Sequence, residues 1–253
     1  MQKLLILLFF LPVVALAQQD SVLSGPYKWQ QPAVQKNKIA SVVLLEGKVH
    51  DFEWMQWTAN TITGTKEIKQ SMAAGQEQMI IVKSGSIAVH FGDSSFLLTT
   101  NSVAVLMPGE KYSLKNVAAG PSDFYCMKYS RNSSGDIKKS TAGGSFVKIW
   151  EGIAFKPNTT GGGRRDFFER STAIQKRFEI HVSTLKEGAR SHAPHTHRAE
   201  EIVMVINGDT EMQIGEKFYS VNAGGFYFLG SNILHAIKTT GTTPSTYFAI
   251  QFE

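Results

Sequence analysis

An all-β chain made of two similar halves is predicted by three observations. From about residue 41 onward, short apolar runs are broken at close intervals by Gly, Asn and Asp. No stretch of useful length repeats apolar residues with the helical period, and many short strands at such spacing signal a β-sandwich or barrel. One segment also occurs twice. Gln78-Met-Ile-Ile-Val-Lys-Ser-Gly85 parallels Glu201-Ile-Val-Met-Val-Ile-Asn-Gly208, and a second Gly follows each at Gly92 and Gly215. Repeats of this size mark a duplicated structural unit, here about one small barrel per copy.

The elements follow in chain order. Lys3 provides a short positive start, Leu4 to Val14 is apolar apart from Pro12, and Ala15-Leu16-Ala17 offers small residues for cleavage before Gln18. That pattern is a secretory signal, residues 1–17, and the apolar run is shorter than the ~20 residues needed to cross a bilayer. No Cys follows it, so no lipid anchor is expected after cleavage. An arm spans 18–40. Strands are predicted at Ser41–Leu45, Phe52–Trp57, Met79–Lys83, Ser86–Phe91, Val103–Met107 and Phe124–Tyr129, all within a first barrel at 41–130. The segment 131–165 is rich in Ser, Gly and Lys and is read as a linker, with Phe146, Trp150 and Phe155 packing it onto the barrels. A second barrel, 166–253, holds strands at Phe178–Leu185, Glu201–Ile206, Thr210–Ile214, Gly225–Leu229 and Thr246–Phe252. Ile202–Ile206 is apolar at every position, so both faces of that strand are expected to be covered, by the other half or by a second subunit.

Composition narrows the function. The 253 residues are 42% apolar and 19% charged, as in a folded globular protein. The net charge of +5 is spread without a basic run, so no nucleic-acid partner is expected. Cys126 is the only cysteine, which excludes an internal disulfide and a CxxC centre, and with the signal points to a periplasmic or secreted protein.

Chemistry concentrates in the second half. Within Gly188-Ala-Arg-Ser-His192-Ala-Pro-His195-Thr-His197-Arg-Ala-Glu200-Glu201, the residues His195 and His197 are two apart and project to one side of a strand. Glu201 keeps that parity and Glu200 does not. His235, behind the turn Gly230-Ser-Asn232, would complete a set of three His and one carboxylate. Such N and O ligands suit one divalent ion of the group Mn, Fe, Co, Ni, Cu or Zn. Glu200 and His181 are the candidates for proton transfer. His192 is placed at the pocket rim, and Arg190 and Arg198 flank the ligands. Gly161-Gly-Gly-Arg164-Arg165 lacks the Lys-Ser/Thr and helix of a phosphate loop.

These residues resemble the two motifs of the cupin superfamily, and the repeat resembles a bicupin. The first motif, G-x5-HxH-x3,4-E-x6-G, is matched by Gly188, His195, His197, Glu201 and Gly208 with one extra residue before the first His. The second, G-x5-PxG-x2-H, is matched by Gly224 and His235, with Gly230 for the Pro and Asn232 for the second Gly. The resemblance implies two jelly-roll barrels in tandem, a metal in the second, and a pocket for a small-molecule substrate or ligand. Homo-oligomers are compatible with it. Aligning Gly85 with Gly208 puts Met72, Ala74 and Gln78 opposite His195, His197 and Glu201, and aligning Pro108 with Gly230 puts Ser113 opposite His235. The first barrel is therefore expected to be metal-free, with His50 and His90 on its surface. The resemblance implies a metal-dependent enzyme of isomerase, dioxygenase or aminohydrolase type, acting on a sugar acid, carboxylate or ureido compound. A non-catalytic binding or sensory protein is the alternative. Ureidoglycine aminohydrolases share the architecture but place Glu first and Gln last among their ligands, where this chain has His195 and His235.

Overall fold

The computed structural model describes residues 21–131 and 143–253; the signal segment 1–17 lies outside them. Among the described residues there is no α-helix, and the strands form four sheets. In the second half a seven-stranded sheet runs in the order Gly25–Tyr27, Phe226–Leu229, Glu200–Asn207, Ser245–Phe252, Phe178–Leu185, Gly163–Arg170, Lys156–Pro157. It faces a three-stranded sheet of Lys217–Asn222, Asp209–Ile214 and His235–Thr239. The first half repeats the plan. Six strands, Phe146–Lys148, Val103–Leu106, Gln76–Ser84, Ser122–Ser130, Trp54–Ile62 and Ile39–Gly47, face four, Ile68–Ser71, Lys111–Asn116, Ile87–Phe91 and Ser94–Leu98. Hydrogen bonding does not close either half into a continuous barrel. Each is a two-sheet sandwich, held by side chains from the facing sheets.

Every strand predicted from the sequence overlaps an observed one. Those not predicted, such as Ser94–Leu98, Lys111–Asn116 and Lys217–Asn222, are polar or partly exposed strands whose apolar residues are too few to show a period. Two differences concern the segments outside the sandwiches. Gly25–Tyr27, from the N-terminal arm, pairs with Phe226–Leu229 and so extends the sheet of the second half. Phe146–Lys148, from the segment read as linker, pairs with Val103–Leu106 and extends the first. Edge strands are thus covered by chain from elsewhere in the sequence, which satisfies backbone groups that would otherwise be exposed. Gly163–Arg170 is likewise a strand of the second sheet, beginning inside the predicted linker.

The register of the two halves matches residue for residue. Gln78 pairs with Leu106 and Lys128, as Glu201 pairs with Leu229 and Gln251. Phe91 pairs with Tyr112, as Ile214 pairs with His235. The residue equivalent to His235 is therefore Tyr112. Ser113, named by aligning the turns, is one place off, because the turn after Leu106 is offset from the turn after Leu229.

Three apolar clusters account for the packing. One fills each sandwich, and the third lies between the two large sheets. Ile202 and Met204 enter the inter-half cluster while Val203 and Val205 enter the second sandwich, so the strand that is apolar at every position is covered on both faces within one chain. Phe52 stacks on Tyr129 at 4.6 Å and on Phe252 at 5.3 Å at the end of this layer.

A reciprocal pair of buried carboxylates clasps the halves. Glu77 accepts hydrogen bonds from the Tyr129 and Thr172 hydroxyls, 2.7 Å each, and from the Ile174 N–H at 2.8 Å. Glu200, at the equivalent place, accepts from the His50 N–H at 2.9 Å and the Asp51 N–H at 3.3 Å. Each carboxylate reaches from one half into a loop of the other.

Gly85 and Gly208 are also equivalent, and both need a left-handed backbone, with φ of 79° and 78°. A Cβ on Gly208 would lie 2.7 Å from the Pro244 carbonyl oxygen and 2.9 Å from the Ser245 Cα, whereas one on Gly215 would meet nothing within 4 Å. Gly208→Ala is expected to cost at least about 2 kcal/mol in urea denaturation, and Gly215→Ala about 1 kcal/mol, the backbone strain alone.

Candidate metal centre

Backbone pairing delivers the site. His195 and His235 exchange both backbone hydrogen bonds, N to O at 3.1 and 2.9 Å, which joins the motif loop to the small sheet. Glu201 is the second residue of strand Glu200–Asn207 in the large sheet opposite. One ligand atom from each of His195, His197 and His235 lies within 4.8 Å of the others. The Glu201 Oε2 stands 3.4 Å from His197 Nε2 and 3.5 Å from His235 Nε2. The four residues singled out from spacing and strand parity therefore converge.

Their orientation suits a cation. His197 Nδ1 donates to the Ala199 carbonyl and His235 Nδ1 to the Ile233 carbonyl, 2.8 Å each. A carbonyl only accepts, so the proton of each neutral ring sits on Nδ1 and Nε2 carries the free pair. Both Nε2 atoms, and Nδ1 of His195, are buried without a hydrogen-bond partner. Three orphaned buried nitrogens around one carboxylate are costly unless something electropositive joins them. The donor set fits a borderline divalent ion, with carbonyls orienting two of the rings. Burial pushes the Glu201 carboxyl up, but the His197 and His235 rings, in their protonated form, outweigh that and hold it well below the usual range, and Glu201 in return raises the His197 ring, so a cation between them would replace those protons. The His195 ring is lowered, by burial first and then by the three neighbouring His.

The centre opens on a cavity of about 390 Å³ between the sheets. His181 lines it, with Nδ1 donating to Glu179 at 2.9 Å, and burial followed by the Arg164 charge lowers its pKa. His192 stands at the exposed rim, its ring 4.1 Å from that of His195. Glu200 is elsewhere. It points to the opposite face of the sheet and is occupied by His50 and Asp51, so proton transfer in this cavity is not its role. Arg198 also turns away, pairing with Asp51 at 2.8 Å and Glu253 at 3.0 Å. The Arg190 backbone forms an antiparallel β-bridge with Lys238 at the edge of the small sheet.

Sequence reasoning missed Arg164, Tyr247 and Gln251, which line the same wall. Arg164 was read only as part of a glycine-rich loop, yet its position on a strand beside Phe178–Leu185 places it 2.7 Å from Glu179. Tyr247 was hidden inside an apolar run; burial pushes its phenol up to about 12, so it stays protonated. Alternation along Ser245–Phe252 was the available signal for both Tyr247 and Gln251.

Residues 181–251 match the family model described as Cupin domain. The match lies wholly within the second half. Solved structures extend the likeness of fold across both halves. AerE from Microcystis aeruginosa is 15% identical, with a TM-score of 0.67 over 90% of this chain and 98% of that one. A Cupin 2 conserved barrel domain protein from Leptotrichia buccalis is 12% identical, with a TM-score of 0.60 over 87% and 92%. An oxalate decarboxylase from Lactobacillus farciminis, in a formate complex, is 9% identical, with a TM-score of 0.65 over 89% and 85%. At these identities the likeness is one of fold. No curated protein matches the chain at the level of sequence.

Proposed function

We propose that the chain is an exported bicupin metalloenzyme that binds one divalent ion in its second half and acts on a small polar metabolite, a sugar acid, carboxylate or ureido compound. The observation that carries this reading is the convergence of three partnerless buried imidazole nitrogens with Glu201 at the end of a polar cavity. His195, His197, His235 and Glu201 would hold the ion, which when bound polarises a carbonyl or carboxylate or activates a water.

The other groups bind and move protons. His181 donates a hydrogen bond from its Nδ1–H to Glu179, so Nε2 is left to accept a proton, and the lowered pKa keeps the ring neutral near pH 7. Arg164, held by Glu179, presents a fixed cation to an anionic group, while Tyr247 offers a hydroxyl that remains protonated. Half-buried His181 is thus the candidate base, and Glu200 has no part in it.

Elemental analysis of purified mature protein, with turnover measured across sugar acids, carboxylates and ureido compounds, tests the proposal. About one ion per chain with turnover supports it. Ligand-induced stabilisation without turnover would replace it by a binding or sensory role. His181→Gln is expected to retain the metal and lower turnover by roughly 10²–10⁴-fold, the usual range for loss of an acid–base group. For export, the mature mass is expected to begin at Gln18, and a mass that keeps Leu4–Val14 would reject that step.

A further inference from the structure

The first half has kept the pocket while losing the metal ligands. A cavity of about 270 Å³ lies between its large and small sheets, and Thr58, Asn60, Gln78, Tyr112 and Lys128 line it. By strand register these are the equivalents of His181, Ser183, Glu201, His235 and Gln251, all of which line the cavity at the metal centre. The chemistry has changed from imidazole and carboxylate to amide and ammonium.

Its polar groups are distributed unevenly. Asn60 is satisfied within the protein, accepting from Ser41 at 2.6 Å and donating to Thr58 Oγ1 at 2.8 Å. Gln78 is buried and accepts the Tyr112 hydroxyl at 3.0 Å, so its amide is oriented with Nε2 free. No hydrogen bond from that nitrogen, or from Gln56 or Gln70, is present among the described residues. Lys128 is half-buried, its ammonium makes no ion pair among the described residues, and no Asp or Glu lines the cavity. Free amide groups and one uncompensated cation remain. A second, more open cavity shares Gln70 and Tyr112 with it and carries Lys69 and Lys111 against a single acid, Glu67, whose carboxylate is taken by the Ser113 hydroxyl. An approach lined by excess positive charge favours entry of anions.

We propose that the first half binds a small organic carboxylate directly, without a metal, through the Lys128 ammonium and the carboxamide N–H groups of Gln78, Gln56 and Gln70. A carboxylate presents two acceptor oxygens to a wall that offers free amide N–H donors, no carboxylate and one cation, and charge-assisted bonds of this kind are the strong ones. The cavity is below the ~300 Å³ of a drug-sized pocket, so the ligand is a small metabolite.

The test is calorimetric titration of the metal-loaded full mature chain with lactate and gluconate, using lactamide as the uncharged counterpart. It is repeated in His195→Ala/His197→Ala, which disables the other site, and in Lys128→Met and Lys128→Arg, each checked for an unchanged melting temperature. Carboxylate binding that persists in the double His variant, falls at least about tenfold in Lys128→Met and recovers in Lys128→Arg is expected. Lactamide should bind at least about tenfold more weakly than lactate. The proposal is overturned if neither carboxylate binds the double His variant, if lactamide binds as well as lactate, or if Lys128→Met leaves affinity unchanged. Should Lys128→Met melt early, protection of Cys126 from alkylation in the wild type is the second readout, since that thiol lines the same cavity and is the chain's only one. Its pKa is pushed up to about 11 by burial, so the reaction is run at alkaline pH, and no protection by either carboxylate overturns the proposal. Metal content at the second half is unaffected in all these arms except the double His variant, so failure here is distinct from failure of the proposed metal centre.

Discussion

Metal binding is expected to fall by at least about 100-fold in His235→Ala, more than the 10–100-fold that follows loss of a group merely orienting a ligand. His235 is buried in a strand of the small sheet, and its backbone bonds to His195 fix the geometry of the whole centre. Alanine removes one of four donors without disturbing that backbone. Equilibrium dialysis measures the affinity. Thermal melting supplies a second reading, because an ion at 100 times its dissociation constant stabilises the fold by about 2.7 kcal/mol. For a chain of this size that corresponds to a melting temperature roughly 5–10 °C higher. A chelator should therefore lower the melting temperature of the wild type and leave His235→Ala unmoved. Tyr112→Ala, the equivalent change in the first half, should leave metal content unaltered. Wild-type levels of metal in His235→Ala would remove the basis for the centre described here.

Glu77→Ala is expected to destabilise the protein by about 3 kcal/mol or more, at least about 1 kcal/mol for each of three buried neutral donors left without an acceptor. The change leaves the Tyr129 and Thr172 hydroxyls and the Ile174 N–H without their acceptor, in a region closed to water. Urea denaturation followed at two wavelengths would show whether the halves then separate before they unfold. The pH dependence carries a sign. Burial raises the Glu77 carboxyl above its ordinary value, outweighing the hydrogen-bond donors that lower it. A raised folded pKa contributes stability that is complete below the unfolded value near 4.5 and is lost as pH rises through the folded one. Glu77→Gln, which has no proton to lose, should lack that component. A gap between wild type and Glu77→Gln that stays constant across this window would contradict the sign. Glu200→Ala should show a smaller loss, about 1–3 kcal/mol, because two backbone donors and not three groups are orphaned.

The candidate ligand set was legible because strand parity is a local property. His195, His197 and Glu201 share a face whatever the rest of the chain does, and His235 follows a recognisable turn. The same parity separated Glu200 from the ligands and put it on the other side of the sheet. It could not tell what that side faced. Proximity in sequence suggested a proton-transfer role in the pocket, and the first half, supplying His50 and Asp51, decided otherwise. Arg164 shows the opposite failure. Its surroundings in sequence are loop-like glycines, and its neighbour Glu179 lies on an adjacent strand, so no local pattern connects them.

Alternation, glycine spacing and the repeated segment by themselves determined that this chain is all-β, that its halves repeat each other, and that one half carries a set of His and Glu which the other replaces. These are properties of nearest neighbours and of period, which a linear sequence records. Tertiary structure alone decided three things. It aligned the halves through strand register, which put Tyr112 and not Ser113 opposite His235. It placed the arm strand Gly25–Tyr27 and the strand Phe146–Lys148 on sheets remote from them in sequence. It also turned Glu77 and Glu200 into a reciprocal clasp. Each of these depends on which sheet edge or loop is brought close across the inter-half apolar layer. That pairing is selected by burial and hydrogen-bond satisfaction summed over both halves, which no local window of sequence contains.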